Sequence, residues 1–330
     1  MKAVFFTEGG KYFGLGHLTR CIALAQAFAE NDIPGEFILN ADTSAAGLMV
    51  DLKTDYLDWT GEAVNLNQYI NTGDIAVIDS YHAGVEKYRQ IQERAKSAIY
   101  FDDFNRFPYP PGIVINGALP ADKIPYPATA KITYLLGPEY QALRKPFWKS
   151  NEVTLRSTVQ NIFLSCGGSD PHRLTAGLLE FFEKHFPELR IITIVGSSFQ
   201  DRMLNQQVAE SNADVLYAPA VDVLIEAMKK SDLALIAAGQ TIYELAALGI
   251  PPIVIGMAEN QKHNITGWLQ TGYIEFAGWW DEKSLLENIK RDLDKLIADP
   301  GLRLSKQNTG RQIIDGQGCR RIIQKVLEYV

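Results

Sequence analysis

Cysteine is scarce in this chain: Cys21, Cys166 and Cys319 stand far apart and without metal-ligand spacing. Three dispersed thiols exclude a disulfide framework and suit a reducing compartment. Long hydrophobic runs are also missing. The opening MKAVFFTEGGKYFG offers only a short apolar stretch before charge and glycine, so it lacks a signal-peptide core. No window reaches the length of a membrane span. Basic excess is absent as well: the formal net charge is −7, which argues against non-specific nucleic-acid binding. What remains is 46% hydrophobic and 22% charged over 330 residues, a composition that fits a globular chain of two ordinary domains. A cytoplasmic protein with no membrane span and no nucleic-acid partner is expected. Oligomeric state leaves no mark in the sequence.

Short apolar runs alternate with amphipathic stretches along nearly the whole chain. KAVFF, EFIL, IAVIDS, AIYFDD, GIVING and ITYLLG read as buried strands in the first half. NIFLSCGG, RIITIVGSS, DVLYA, LALIAAG and PPIVIG read the same way in the second. Apolar strands interleaved with helices imply parallel sheets covered on both faces, an α/β fold. The charged segment from Tyr140 to Gln160 interrupts the rhythm and places the boundary between domains 1–150 and 151–330. The tail from Glu282 reads as charged helix, divided at Pro300-Gly301 and again at Gly316. Two Rossmann-like domains facing a cleft are the simplest architecture.

Ligands of open α/β sheets collect at the carboxyl ends of the strands, and four such ends carry unusual residues. The first is TEGGKYFGLGH, residues 7–17. Gly14 and Gly16 let backbone approach a ligand, and the helix that follows favours anions at its start. A dinucleotide fingerprint requires a third glycine where Thr19 stands, so an NAD enzyme is disfavoured. His17, at the positive helix end, is disfavoured as imidazolium and suited to accept a proton. It is equally readable as a helix cap or a core hydrogen-bonding group.

The second is SCGGSDPHRLT, where Gly168, Ser169 and Asp170 form a phosphate-type turn. Asp170 reads as helix cap and Pro171 as the first helical residue. The third is AAGQTIYELAALGIPPIVIG, with Gly239, Gln240 and Thr241 in a turn and Glu244 in the first helical turn. That carboxylate suits either a ribose diol or the helix dipole. The fourth is AENQKHN, whose Asn260 and Gln261 carry amides suited to sugar hydroxyls. Two helix starts, at 169–172 and 240–244, would neutralise one diphosphate without a metal or a Walker lysine. Asp79, Tyr81, Asp102 and Asp103 close strands IAVID and AIYFDD and read first as polar or structural groups, with no third metal ligand nearby. Neither metal nor cofactor is therefore expected.

GLGHLTRCIALA, CGGSDP and AAGQTIYELAALGIPPIVI with the later ENQ, in this order, resemble the UDP-sugar hydrolases of pseudaminic acid biosynthesis. Those enzymes are related to the peptidoglycan N-acetylglucosaminyltransferase within the GT-B fold. The resemblance runs from Lys2 to about Gly272 and includes IDSY, YFDD and GPEYQALR. It implies attack of water on the anomeric carbon of UDP-2,4-diacetamido-2,4,6-trideoxy-β-L-altrose, with inversion and release of UDP. It places the water-activating histidine on His17 and further catalytic groups on Asn260 and Tyr81. Arg20, from the G-x-G-H-x-x-R start, and Arg144, from GPEYQALR, fall among the ligand-binding positions. The wider superfamily implies ribose contact at Glu244 and a uracil-holding loop APAVD, with Ala220 and Val221. The rival readings are a GT-B glycosyltransferase with the same nucleotide site and a silent nucleotide-sugar binding protein. An acceptor other than water distinguishes the first, and absence of turnover the second.

Overall fold

The apolar runs become the strands of two sheets, all of whose pairings are parallel among the described residues. The computed structural model describes residues 1–62, 64–149, 153–168, 170–196 and 211–329. The chain divides into one unit of Met1–Trp148 with Gly316–Val330 and a second of Lys149–Asp315.

The first unit holds β1 (Ala3–Gly9), β2 (Gly35–Ala41), β3 (Lys53–Tyr56), β4 (Ile75–Asp79), β5 (Ser97–Phe101), β6 (Gly112–Asn116) and β7 (Ile132–Leu136). Their order is β3-β2-β1-β4-β5-β6-β7. Every residue of β1 and β4 is buried, as the apolar runs AVFF and IAV that begin them suggest for strands covered on both faces, and the polar Thr7, Glu8 and Asp79 are buried with them at the carboxyl ends. β3, KTDY, escapes detection in the sequence because it is a polar edge strand, largely exposed. Helix α1 (Gly16–Ala29) follows β1, and α2 (Val85–Gln92) follows β4. One face of the sheet packs with α1 around Phe5, Leu24, Phe28 and Val77. The other packs around Phe6, Trp59, Tyr88 and Tyr100.

The second unit repeats the plan. β8 (Asn161–Ser165), β9 (Arg190–Val195), β10 (Asp214–Tyr217), β11 (Leu233–Ala237), β12 (Pro252–Gly256) and β13 (Glu275–Trp279) lie in the order β10-β9-β8-β11-β12-β13. β13 is the other strand unseen in the sequence. It is an edge strand, and its register against β12 shifts between Val254 and Ile255. Among the described residues its helices are α3 (Leu174–His185), α4 (Val221–Lys229), α5 (Thr241–Leu248), α6 (Lys262–Thr271), α7 (Leu285–Ala298) and α8 (Pro300–Ile313). α8 fastens the segment that enters this unit. Arg303 donates to the carbonyls of Arg156 and Ser157, and Gln307 and Arg311 donate to that of Val153.

The last helix, α9 (Gly318–Leu327), corrects the expected boundary, which assigned all of 151–330 to one domain. Cys319, Ile322, Ile323 and Val326 form a stripe at helical spacing, and that stripe completes the core of the first unit beside α1. Amphipathic spacing shows that a helix has a face to bury. It does not show which of two cores receives it. Among the described residues, no helix is long and apolar enough to cross a membrane.

Candidate active site

In each sheet the strand order reverses once beside its first strand, and such a point leaves a crevice at the carboxyl ends. In the first unit it lies between β1 and β4. His17 reaches it as the second residue of α1. Gly14 turns the chain there with φ of 74°, in the left-handed region that favours glycine, after a bridge in which the Gly10 amide donates to the Gly14 carbonyl. A side chain on Gly14 or Gly16 would meet open space, so the backbone at both is accessible.

His17 does not cap its helix. Its side chain is buried, and Nδ1 lies 2.6 Å from Oδ1 of Asp79, the last residue of β4. An ionised carboxylate only accepts, so Nδ1 carries the proton and Nε2 of the neutral ring is the basic nitrogen. Among the described residues no hydrogen bond occupies Nε2. The ring of Tyr81 stands edge-on to the imidazole, with centroids 4.3 Å apart at 88°.

Arg20, three residues after His17, makes four hydrogen bonds to two carboxylates. Nε and Nη2 donate to Asp79 at 2.5 and 2.6 Å, and Nη1 and Nη2 donate to Asp103 at 2.8 and 3.1 Å. Arg20 thus bridges Asp79 and Asp103. Burial opposes ionisation of Asp79, but the charge of Arg20 and the hydrogen bonds from Arg20 and His17 outweigh it and hold the carboxyl well below its ordinary value. Asp103 is lowered as well, with Arg20 overcoming its burial. Tyr81 donates its hydroxyl to Asp103, and its phenol is pushed far up by burial and by that carboxylate. Burial, then Asp79, likewise raises the thiol of Cys21, which remains a donor 3.8 Å from Asp79. His17, Asp79, Arg20, Asp103 and Tyr81 thus form one network with fixed charges.

Asp102 is separate from this group. It accepts from the Asn105 amide at 2.6 Å and from the hydroxyls of Tyr109 and Tyr126 at 2.7 and 2.5 Å, which makes it a structural carboxylate. Among the described residues no three His, Cys, Asp or Glu side chains gather as a metal site. Arg144 lies beyond β7, three strand positions from β4, with its guanidinium 6.0 Å from the centroid of the Phe147 ring.

In the second unit the corresponding point lies between β8 and β11. Gly167, with φ of 90°, and Gly168 follow β8, while Ser169 lies outside the described residues. The expected helix start at 169–172 is displaced: α3 begins at Leu174, after Arg173 in a left-handed conformation. Asp170 does cap it, accepting from the amides of Leu174 and Thr175 at 2.9 and 2.8 Å. Those two amides are therefore unavailable to a phosphate. After β11, Gly239 leads through Gln240 into α5, whose first residue is Thr241 and whose start has no side-chain cap among the described residues. A side chain at Gly239 would again meet open space. Glu244 is buried in the first turn of α5.

Ala220 caps α4 and Val221 begins it, beyond the edge strand β10. Asn260 is exposed in the turn Glu259–Gln261. Gln261 holds that turn, since its Oε1 accepts from the amides of Met257 and Ala258 at 2.8 and 3.3 Å.

The pairing of His17 with Asp79 is what the sequence does not disclose. Both residues are visible as strand-end groups, but their meeting depends on β4 lying beside β1 rather than beside β3, a non-local fact of strand order.

No protein-family model matches the chain. It is 27% identical over 290 residues to the uncharacterized protein MJ1062 of Methanocaldococcus jannaschii, over 82% of this chain and 58% of that protein. The chain therefore spans little more than half the length of that relative. It is 22% identical to the spore coat polysaccharide biosynthesis protein SpsG of Bacillus subtilis, over 98% of this chain and 96% of SpsG. Among solved structures, MurG of Acinetobacter baumannii matches with a TM-score of 0.66 at 13% identity, over 99% of this chain and 100% of that one. A UDP-GlcNAc 2-epimerase from Neisseria meningitidis, bound to UDP-GlcNAc, matches with a TM-score of 0.59 at 13% identity, with 99% and 100% covered. At such identities the likeness establishes the fold, two Rossmann-type parallel-sheet domains of GT-B type, as the sequence leads one to expect.

Proposed function

We propose that the chain is a nucleotide-sugar hydrolase that cleaves UDP-2,4-diacetamido-2,4,6-trideoxy-β-L-altrose, or a close relative, into UDP and the free sugar. The observation that carries this reading is His17 with Nδ1 committed to a buried, firmly ionised Asp79 and Nε2 unoccupied. In the reaction, the oxygen of water bonds to the anomeric carbon while one of its protons passes to His17 Nε2. The bond from that carbon to the phosphate oxygen breaks, and its electron pair leaves with UDP. One displacement inverts the anomeric centre. Asp79 balances the imidazolium so formed, and Arg20 keeps Asp79 ionised, so the proton stays on the ring. A diphosphate is already a good leaving anion, so the paired carboxylates of ordinary glycosidases are not required.

In this reading the second unit binds the nucleotide. Ala220 and Val221 hold uracil by backbone groups, and Glu244 holds the ribose. The strand end at Gly168, with the start of α5 at Gly239, Gln240 and Thr241, receives the diphosphate. Tyr81, Asn260, Gln261 and Arg144 contribute to the sugar and phosphate contacts, and the backbone at Gly14 and Gly16 approaches the substrate. The displaced start of α3 leaves the diphosphate more dependent on α5 than the sequence alone suggests. The likeness to a UDP-GlcNAc-bound epimerase and to a polysaccharide biosynthesis protein supports a sugar nucleotide as ligand.

A transferase would use the same nucleotide site and the same base, and the likeness to MurG fits it equally well. Purified protein incubated with the UDP-sugar alone, without acceptor or added metal, separates the two. UDP release is expected. Release only on adding an acceptor would establish the transferase.

A further inference from the structure

The crevice between β1 and β4 contains a second histidine–carboxylate pair that the proposed reaction does not use. Glu8, on β1, is wholly buried. Its Oε2 accepts from the Ser80 hydroxyl at 2.9 Å, and its Oε1 accepts from the Tyr81 amide at 2.8 Å. The same Oε1 lies 2.9 Å from Nδ1 of His82, whose side chain is 59% exposed. The two pairs are reciprocal. The carboxylate of β4 orients the histidine that follows β1, and the carboxylate of β1 orients the histidine that follows β4. Each turns Nδ1 inward. His82 differs in lying open, with the Phe13 ring of the glycine loop edge-on against it at 4.9 Å.

Burying a glutamate in a central strand costs free energy unless its oxygens are satisfied. Shaping the 80–83 turn accounts for Ser80 and Tyr81, because Ser80 Oγ in turn accepts from the amides of His82 and Ala83 at 3.0 and 2.9 Å. Turn geometry does not require an exposed imidazole of fixed tautomer. When the Nδ1 proton is given to Glu8, Nε2 is left as the acceptor of the ring, on the residue that follows Tyr81, whose own ring stands edge-on to His17. That acceptor calls for a donor on the ligand.

We infer that His82 is a specificity-determining residue that accepts a hydrogen bond from a hydroxyl or amide N–H of the sugar, with Glu8 as its positioning residue. This rests on the reading above that the site takes a sugar nucleotide. Asparagine at 82 keeps an amide near Nδ1 to meet Glu8 but loses the acceptor at Nε2. Glutamine keeps a polar group near Nε2.

The test measures calorimetric affinity for UDP and for the UDP-diacetamido-trideoxyhexose in the wild type, His82→Asn and His82→Gln. Affinity for the UDP-sugar is expected to fall about tenfold in His82→Asn, the scale of one lost hydrogen bond. UDP affinity stays unchanged, KM rises with kcat within about threefold, and His82→Gln recovers most of the loss. No change in His82→Asn, or equal losses for UDP and UDP-sugar, would overturn the assignment. Wild-type protein that binds neither ligand would instead overturn the sugar-nucleotide reading on which it rests. Unaltered thermal unfolding of both variants confirms that the turn is intact.

Discussion

The two units share one strand plan but equip its reversal point differently. In the first, side chains fill the crevice: two histidines, each held by a buried carboxylate, with Arg20 locked between Asp79 and Asp103. In the second, among the described residues, β8 and β11 run out into glycine and backbone, and the buried Asp170 is consumed in capping α3. One scaffold therefore presents fixed charge and a basic nitrogen, the other backbone amides and open space. Proton transfer needs the first kind of surface and anion binding the second, and the proposed hydrolase divides its work accordingly.

Three experiments break or sharpen that division. The largest effect is expected for His17→Ala. Turnover should fall roughly 10²- to 10⁴-fold, the usual contribution of a positioned base, while calorimetric UDP affinity stays at the wild-type value. Near-normal turnover would remove His17 from the chemistry and leave the first unit without its distinguishing role.

Asp79→Asn is expected to act on both activity and fold. The amide no longer holds the Nδ1–H tautomer, and Arg20 loses a buried partner, so turnover falls roughly a hundredfold. Unfolding should come about 3–5 kcal/mol earlier, as denaturant titration would show. The same carboxylate sets a pH signature. Asp79 and Asp103 are held below their ordinary values in the folded protein, so the unfolded chain binds more protons at low pH. Their stabilisation is fully present above about pH 4 and is lost as pH falls further. Asp79→Asn should flatten the dependence of Tm on pH in that range.

The smallest effect belongs to the second unit. Glu244→Ala should weaken UDP binding about tenfold, the scale of one or two hydrogen bonds, with kcat at saturation little changed. Unchanged affinity would remove Glu244 from the nucleotide site.

Much of this is legible in the sequence. Buried strands such as AVFFTEG and IAVID announce themselves because both faces are covered. Lys53–Tyr56 does not, since an edge strand in solvent needs no apolar pattern. His17 stands out as a histidine at a glycine turn entering a helix, and Asp170 as a cap. The carboxylates that Arg20 faces are not legible, because a motif position shows that an arginine matters but not which anion it meets. Its partners sit 59 and 83 residues away and are joined only by strand order. Helix 318–327 shows the same limit, since its apolar stripe carries no address for the core it completes.

The central claim is that water directed by His17 attacks carbon rather than phosphorus. Turnover in ¹⁸O-labelled water, followed by mass spectrometry of UDP and early NMR of the sugar, tests it directly. Unlabelled UDP, label at the anomeric oxygen and an inverted first-formed anomer are expected. Label in the terminal phosphate of UDP, or no reaction without an acceptor, would contradict it.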